Sequence, residues 1–159
     1  MKSKILLAID SSGASIKAAR YVANLLGNNH NVSVTLFHVL TTVPPDLLEA
    51  GTLEGEEENK HKKGAWEEAE HEIECKCLEP VIDILKQAGF REEQIQRKHF
   101  APLPGFDVAH VILKECERGD YDTVVLGKRG TSRIGYFLIG AVTEKVVRHA
   151  KGMAVWIIE

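Results

Sequence analysis

The chain has 159 residues, of which 44% are hydrophobic, and its formal net charge is −3. This length suits one compact domain, so we expect a single domain over residues 1–159. The small negative charge does not favour a nucleic-acid partner. No apolar run approaches the roughly 18 residues of a membrane span, and the first run is too short for a signal peptide. We therefore expect a cytoplasmic protein that does not bind membranes.

Short apolar segments alternate with helical patterns along the whole chain. The first strand is followed by Asp10, and a helix then begins near Ser12 and ends at Gly27. The predicted strands cover residues 4–9, 32–40, 95–100, 123–126 and 153–158, and the predicted helices cover about 13–26, 66–88, 107–118 and 140–151. Strict alternation of this kind predicts a doubly wound α/β fold, with a five-stranded parallel sheet and helices on both faces.

Two stretches depart from this alternation. Residues 41–64 lose the periodic pattern, and Pro44, Pro45 and the acidic run at 54–58 predict a long mobile loop. Pro80 lies inside the second helical pattern and lacks the N–H group that a continuous helix uses, so we expect a kink there. The final helix is expected to bury Val147 along with its neighbouring valines.

The three cysteines do not form a recognisable framework. Cys75 and Cys77 lie two residues apart on a predicted helix, and Cys116 lies on another. An odd count without CxxC spacing argues against disulfides and against a zinc knuckle. His71 lies four residues before Cys75, but no second pair of ligands accompanies them. We interpret the cysteines as partly buried thiols of a reduced compartment and predict no metal ligands.

The segment after the fourth strand carries the strongest indication of function. It contains Gly127, Gly130 and Gly135, and glycine lets a backbone approach a ligand closely. Amide groups in such a loop, together with the start of the helix near Gly140, favour an anion. The basic and hydroxyl side chains available there are Lys128, Arg129, Thr131, Ser132 and Arg133. The segment suits a polyphosphate, although a purely structural connection fits the same pattern.

Several familiar sites are absent from the sequence. The chain has no P-loop, no dinucleotide-binding glycine motif after its first strand, and no Gly-x-Ser-x-Gly motif. Asp10 follows the first strand and is a candidate ligand contact, or alternatively a cap of the first helix. His38 lies within the second strand and is interpreted as an interior histidine. We therefore predict no catalytic residues.

Gly127, Gly130 and Gly140 have the spacing Gly-x2-Gly-x9-Gly, which resembles the ATP-binding signature of the universal stress protein family. The flanks at 120–126, 142–147 and 153–158 are similar to the same family, as are residues 4–12 and 37–39. The resemblance covers essentially the whole chain outside the loop at 41–64.

The resemblance implies a sheet of strand order 3-2-1-4-5 and an adenine nucleotide (ATP, or AMP or ADP, with or without Mg²⁺). Adenine would lie near Asp10 and the backbone of Val39, and the glycines would face ribose and phosphates. The candidate binding residues are Ala8, Asp10, Val39, Leu126, Gly127, Gly130, Thr131, Arg133, Gly140, Ala141, Val142 and Thr143. The resemblance also implies a homodimer formed through the fifth strand, 153–158, and a regulatory role in the stress response, with ATP hydrolysis or autophosphorylation slow or absent.

Ala141 departs from the family pattern, which has Ser or Thr at this position. Losing a hydrogen bond to a charged group costs about 1.5–3 kcal/mol, or roughly ten- to a hundredfold in affinity, unless Thr131, Ser132 or Thr143 compensates. The alternatives are a site tuned for AMP or ADP, and a nucleotide-independent interaction module with a degenerate site. A third class, an ATP-pyrophosphatase that adenylates a substrate, has only a faint parallel in residues 10–13.

Overall fold

The structure is a computed structural model that describes residues 3–39, 67–68, 71–72, 74–100, 106–128 and 139–159. The loop predicted at 41–64 lies outside these residues. The strands are β1 (Ser3–Ile9), β2 (Val32–Val39), β3 (Ile95–Phe100), β4 (Thr123–Gly127) and β5 (Ala154–Ile158). The α-helices are α1 (Gly13–Leu26), α2 (Glu79–Gln87), α3 (Val108–Gly119) and α4 (Ala141–His149). A π-helical turn (Glu74–Leu78) precedes α2, and a 3-10 turn (Glu92–Gln94) precedes β3.

The five strands form one parallel sheet in the order β3-β2-β1-β4-β5. This confirms the fold class and strand order expected from the sequence. Leu7 pairs with Val125 in the ladder between β1 and β4, so these two strands end at the same edge of the sheet. The strand order reverses between β1 and β4, which is where ligands bind in open α/β sheets.

The core lies in two layers, one on each face of the sheet. Leu7 belongs to the layer covered by α1 and α2, whereas its neighbour Leu6 belongs to the layer covered by α3 and α4. Both side chains are fully buried. Continuous apolar strands arise because successive side chains point to opposite faces and both faces are covered.

The irregularity expected at Pro80 lies immediately before it. Residues Glu74–Leu78 form the π-helical turn, and Pro80 then sits in the first turn of α2. Leu78, the last residue of the π-helical turn, has helical backbone angles, so the wider turn runs directly into α2 and accommodates the N–H group that Pro80 lacks. The turn carries Cys77, whose thiol is buried, as is that of Cys116 on α3.

One burial prediction is wrong. Val147 on α4 is 44% exposed, while Thr143 and Val146 are buried. Thr143 and Val146 are three residues apart and share one helix face, which places Val147 at the margin of that face.

Among the helices within the described ranges, none is both long and apolar enough to span a lipid bilayer.

Candidate functional site

The carboxyl end of β1 holds a half-buried carboxylate within a set of side-chain hydrogen bonds. Oδ1 of Asp10 accepts from the backbone N of Ser12 (2.9 Å), from the hydroxyl of Ser12, and from Oγ of Ser15 (2.8 Å). The backbone N of Asp10 donates to Oγ of Ser15 (2.8 Å). Asp10 is not the N-cap of α1, because that position is Ser12, which makes no side-chain cap bond. Its carboxylate is instead held in one orientation at the edge of the sheet by its bonds to Ser12 and Ser15.

Ser15 is a site residue that the sequence analysis missed. It lies in the first turn of α1 and its side chain is buried. Its hydroxyl donates to the carboxylate of Asp10 and accepts from the backbone N of the same residue. One side chain therefore fixes the position of both groups. The available signal was a serine five residues after Asp10, near the start of a predicted helix.

The carboxyl end of β4 is built from close contacts of the main chain. A Cβ atom placed on Gly127 would lie only 2.5 Å from Cβ of Ala14, so glycine is required by the packing of α1 on the strand. The carbonyl oxygen of Gly127 accepts a hydrogen bond from Oγ1 of the buried Thr143, at 2.9 Å. The first turns of α1 and α4 therefore meet at Gly127. The hydroxyl of Thr143 donates its proton to the Gly127 carbonyl and cannot also donate it to a ligand.

The start of α4 is also fixed by the main chain. The backbone N of Gly140 donates to the carbonyl of Lys128 (2.8 Å), and the N of Lys128 donates to the carbonyl of Ile158 (2.6 Å). Lys128 and Gly140 are thus held close together. The first helical bond runs from the N of Glu144 to the carbonyl of Gly140. The amides of 141–143 precede that bond and form the positive end of the helix.

The apolar members of the predicted site lie in the core. Leu126 and Val39 are buried in the layer under α3 and α4, and the half-buried Ala8 packs against the same layer. Val142 is also half-buried there, whereas Ala141 is exposed. Because the side chains of Val39 and Leu126 face the core, these two residues present mainly backbone at the edge of the sheet.

The structure brings together part of the predicted set. Asp10, Gly127 and the start of α4 lie at one edge of the sheet, on the neighbouring strands β1 and β4 and the helix that follows β4. Gly130, Thr131 and Arg133 fall outside the described residues, and their roles stay predictions. Lys128 forms an ion pair with Glu159, with Nζ and Oε1 2.5 Å apart, so its charge is already partly balanced.

His38 lies beside this edge on β2. Nδ1 of its ring is 2.8 Å from the carbonyl oxygen of Ile9, the residue that pairs with it in the ladder between β1 and β2. Burial lowers the pKa of His38, although its bond to Ile9 and the charge of Asp10 oppose the shift. His38 is therefore a neutral imidazole at neutral pH, close enough to Asp10 to feel its charge.

Cys77, in the π-helical turn, is also near Asp10. Burial raises the pKa of its thiol, and the negative charge of Asp10 raises it further. Burial raises the pKa of Cys116 to about 12. Both cysteines are therefore protonated, unreactive thiols at neutral pH. Within the described residues, no group of three or more His, Cys, Asp or Glu side chains is arranged to hold a metal ion.

These features match a ligand that is charged at one end and polar at the other. The main-chain amides at the start of α4 suit an anion, and the fixed carboxylate of Asp10 accepts hydrogen bonds from a polar group. Glycine at 127 lets the first turn of α1 pack closely on the end of β4.

A family model described as the universal stress protein family matches residues 1–158. A universal stress protein of Mycolicibacterium smegmatis is 28% identical over 155 residues, which cover 95% of this chain and 46% of that protein. A universal stress protein of Methanocaldococcus jannaschii is 25% identical over 147 residues, which cover 92% of this chain and 76% of that protein. This chain thus spans about half the length of the Mycolicibacterium protein.

Solved structures of universal stress proteins share this fold. UspA from Lactobacillus plantarum aligns with a TM-score of 0.62 and 18% identity, over 99% of this chain and 97% of that one. A universal stress protein in complex with cAMP aligns with a TM-score of 0.59 and 17% identity, over 99% and 96%. An Arabidopsis thaliana family member with AMP bound aligns with a TM-score of 0.55 and 15% identity, over 99% and 92%.

Proposed function

Because this chain belongs to the universal stress protein family, we propose that it binds an adenine nucleotide at the carboxyl ends of β1 and β4. The observation that carries the proposal is the meeting of α1 and α4 at Gly127, next to β1, which Asp10 follows. A base needs a polar contact and a phosphate needs an anion site, and the edge between β1 and β4 carries the carboxylate of Asp10 and the first amides of α4.

The nucleotide is held mainly by the backbone at its phosphate end. The amides of Ala141, Val142 and Thr143 bind phosphate oxygens, and Gly127 faces the ribose. Gly130, Thr131 and Arg133 add amide, hydroxyl and charge from the segment between the two. The ligand is ATP, ADP or AMP, with Mg²⁺ where more than one phosphate is present.

Adenine is held at the other end of the site. The carboxylate of Asp10 accepts a hydrogen bond from the base, and the backbone of Val39 meets the ring edge. Ala8 and the backbone of Leu126 lie beneath it. The binding of an adenine nucleotide, rather than its placement, is supported by two proteins with the same fold, one solved in complex with cAMP and one with AMP bound.

In the proposed function, the protein regulates rather than catalyses. Hydrolysis is slow or absent in this proposal, and the thiol of Cys77 near Asp10 is protonated at neutral pH and so is not a nucleophile. Bound nucleotide alters the contacts of the protein with partners during a stress response in the cytoplasm.

The partner we propose is a second copy, docked along β5. This strand is the outermost in the sheet on its side, and apolar side chains are exposed on both faces beside it. They are Tyr21 (48% exposed) and Leu25 (55%) on α1, Val147 (44%) on α4, and Ile157 (38%) on β5. Tyr21 also makes an edge-to-face contact with Trp156, with ring centroids 6.0 Å apart. A twofold pairing of β5 covers both patches at once.

The direct test is to denature the purified protein and identify any released nucleotide by mass spectrometry. Calorimetric titrations with ATP, ADP and AMP, with and without Mg²⁺, then give the affinities. We expect micromolar or tighter binding of at least one of them, and its loss in Gly130→Val. Gly13→Ala is the control, because a Cβ atom at Gly13 meets no atom within 4 Å. Flat titrations for all three nucleotides contradict the proposal.

Ala141 favours a second candidate function, a nucleotide-independent interaction module. The residue is exposed at the start of α4 and has no hydroxyl, and the proton of the Thr143 hydroxyl, two residues later, is given to Gly127. Ala141→Ser separates the two functions. A large gain in ATP affinity marks a weakened nucleotide site, whereas no gain in a folded protein favours the module.

A further inference from the structure

His38 has a ring nitrogen to which none of the described residues forms a hydrogen bond. A carbonyl oxygen only accepts hydrogen bonds, so the contact between Nδ1 and the carbonyl of Ile9 (2.8 Å) requires the proton to be on Nδ1. The neutral ring then has a lone pair on Nε2. Within the part of the chain that the structure describes, Nε2 makes no hydrogen bond. A half-buried acceptor of this kind is suited to a donor from outside the chain.

The position of this acceptor is set by the sheet register. His38 pairs with Ile9, and the next residues along the two strands are Asp10 and Val39. These are the two residues to which the proposed function assigns the adenine. His38 is therefore one residue before Val39, and its ring is bonded to the residue before Asp10. Adenine and ribose both carry donors, the exocyclic amine and the hydroxyls.

The charged and titratable groups around the ring favour its neutral form. Asp10 faces it from the connection between β1 and α1, and His99 faces it from β3. Cys77 approaches Asp10 from the π-helical turn and is a neutral thiol. Burial outweighs Asp10 and keeps the ring uncharged at neutral pH. Acid converts Nε2 from an acceptor into a donor and adds a charge at a half-buried position.

We propose that His38 accepts a hydrogen bond through Nε2 from the nucleoside part of the bound adenine nucleotide, so that protonation of the ring weakens binding. This inference rests on the proposed function and adds a specificity-determining residue and a pH response to the same site. The affinity is highest where the ring is neutral and falls as the pH decreases through the pKa of His38. One linked proton limits the fall to about tenfold per pH unit.

Two substitutions separate the two ring nitrogens. Asn at position 38 keeps a donor near Nδ1, so the bond to Ile9 can remain, but it has no atom at the Nε2 position. Gln instead places its amide near Nε2 and restores an acceptor. We expect His38→Asn to weaken AMP binding at pH 7.5 by roughly ten- to a hundredfold, and His38→Gln to recover part of that loss.

The control is His149→Asn. His149 makes the same kind of contact, with Nδ1 2.8 Å from the carbonyl of Lys145, but it is exposed at the far end of α4. Calorimetric titrations with AMP between pH 5.5 and 8 should show a steeper pH dependence in the wild type and His149→Asn than in His38→Asn. The phosphate of AMP, with a pKa of about 6, titrates equally in the titrations of all three proteins. The difference in pH dependence between His38→Asn and the other two therefore reports the protonation of the His38 ring.

Nuclear magnetic resonance of the histidine ring nitrogens in the wild-type chain keeps the test independent of variant folding. We expect the Nδ1–H tautomer at pH 7.5 and a change of the Nε2 signal on adding AMP. Equal affinity and equal pH dependence in His38→Asn, or an Nε2 signal unmoved by bound AMP, overturn this inference and leave nucleotide binding intact. A wild type that binds no nucleotide at any pH overturns both proposals.

Discussion

The two ends of the candidate site are built by different means. At the end of β1, the site is formed by side chains, because Ser12 and Ser15 hold the carboxylate of Asp10. At the end of β4, the site is formed by the main chain, through Gly127, which has no Cβ atom, and the first amides of α4. The structure at the end of β1 is therefore sensitive to the loss of a hydrogen-bonding group. The structure at the end of β4 is sensitive to any added side-chain atom. The predictions below test this difference.

The largest effect is expected at the main-chain end. Gly127→Ala places a Cβ atom 2.5 Å from that of Ala14, and overpacking of this kind costs about 1–3 kcal/mol of folding stability. Urea unfolding measures it, and Gly13→Ala, in open space, should show no loss. Adding Ala14→Gly to Gly127→Ala should recover part of the stability. Wild-type stability in Gly127→Ala means that α1 does not pack on the strand as described.

The next effect belongs to the side-chain end. Ser15→Ala removes an acceptor from the backbone of Asp10 and a donor to its carboxylate at a buried position. Leaving such groups without a partner costs about 1–3 kcal/mol, and we expect adenine nucleotide affinity to fall with it. Ser33→Ala is the control, because its exposed hydroxyl makes only a 3.4 Å contact. Equal losses in the two variants contradict a special role for Ser15.

A smaller loss of stability is expected at the contact between α3 and α4, the helices on either side of β4 in the chain. Asp107 caps α3 by accepting from the N of Ala109 (2.9 Å), and it pairs with Lys145 on α4. Removing such a cap costs about 1 kcal/mol, so Asp107→Ala should lower the free energy of unfolding at pH 7 by that amount. Asp107→Asn, which can still cap the helix, is the matched control and should lose less.

The same aspartate predicts a pH dependence. The hydrogen bond from Lys145 holds the pKa of Asp107 below its ordinary value of 3.8. A lowered pKa in the folded state stabilises the fold above the unfolded pKa, and this contribution disappears as the pH falls through the folded value. Unfolding free energies measured from pH 6 down to pH 2.5 should therefore decline less steeply in Asp107→Ala than in the wild type. Parallel curves contradict the pairing with Lys145.

The smallest effect on stability is expected for Ala141→Ser. The residue is exposed at the start of α4, so its free energy of unfolding should change by no more than about 0.5 kcal/mol. Its affinity for ATP should instead rise by roughly ten- to a hundredfold. If the free energy of unfolding and the affinity for ATP change together, residue 141 affects the stability of α4 rather than contacting the ligand.

The order of the elements and the parallel sheet were predictable from the sequence alone. Each β1 residue from Ile5 to Leu7 is apolar, and a strand needs this composition only when both of its faces are covered. The cap at Asp107 and the end of α3 at Gly119 were predictable for the same reason. These signals are local: the residues that carry them lie within one or two turns of the structure that they specify.

The tertiary structure alone decided which residues surround Asp10. Ser15 is bonded to it from within α1, and His38 reaches the neighbouring Ile9 from 29 residues along the chain. The contact between Gly127 and Ala14 joins two elements that are distant in sequence, and so does the register that aligns His38 with Ile9. Such contacts depend on how helices pack on the sheet. Periodicity assigns a residue to a face, but it does not identify the atom that the residue meets there.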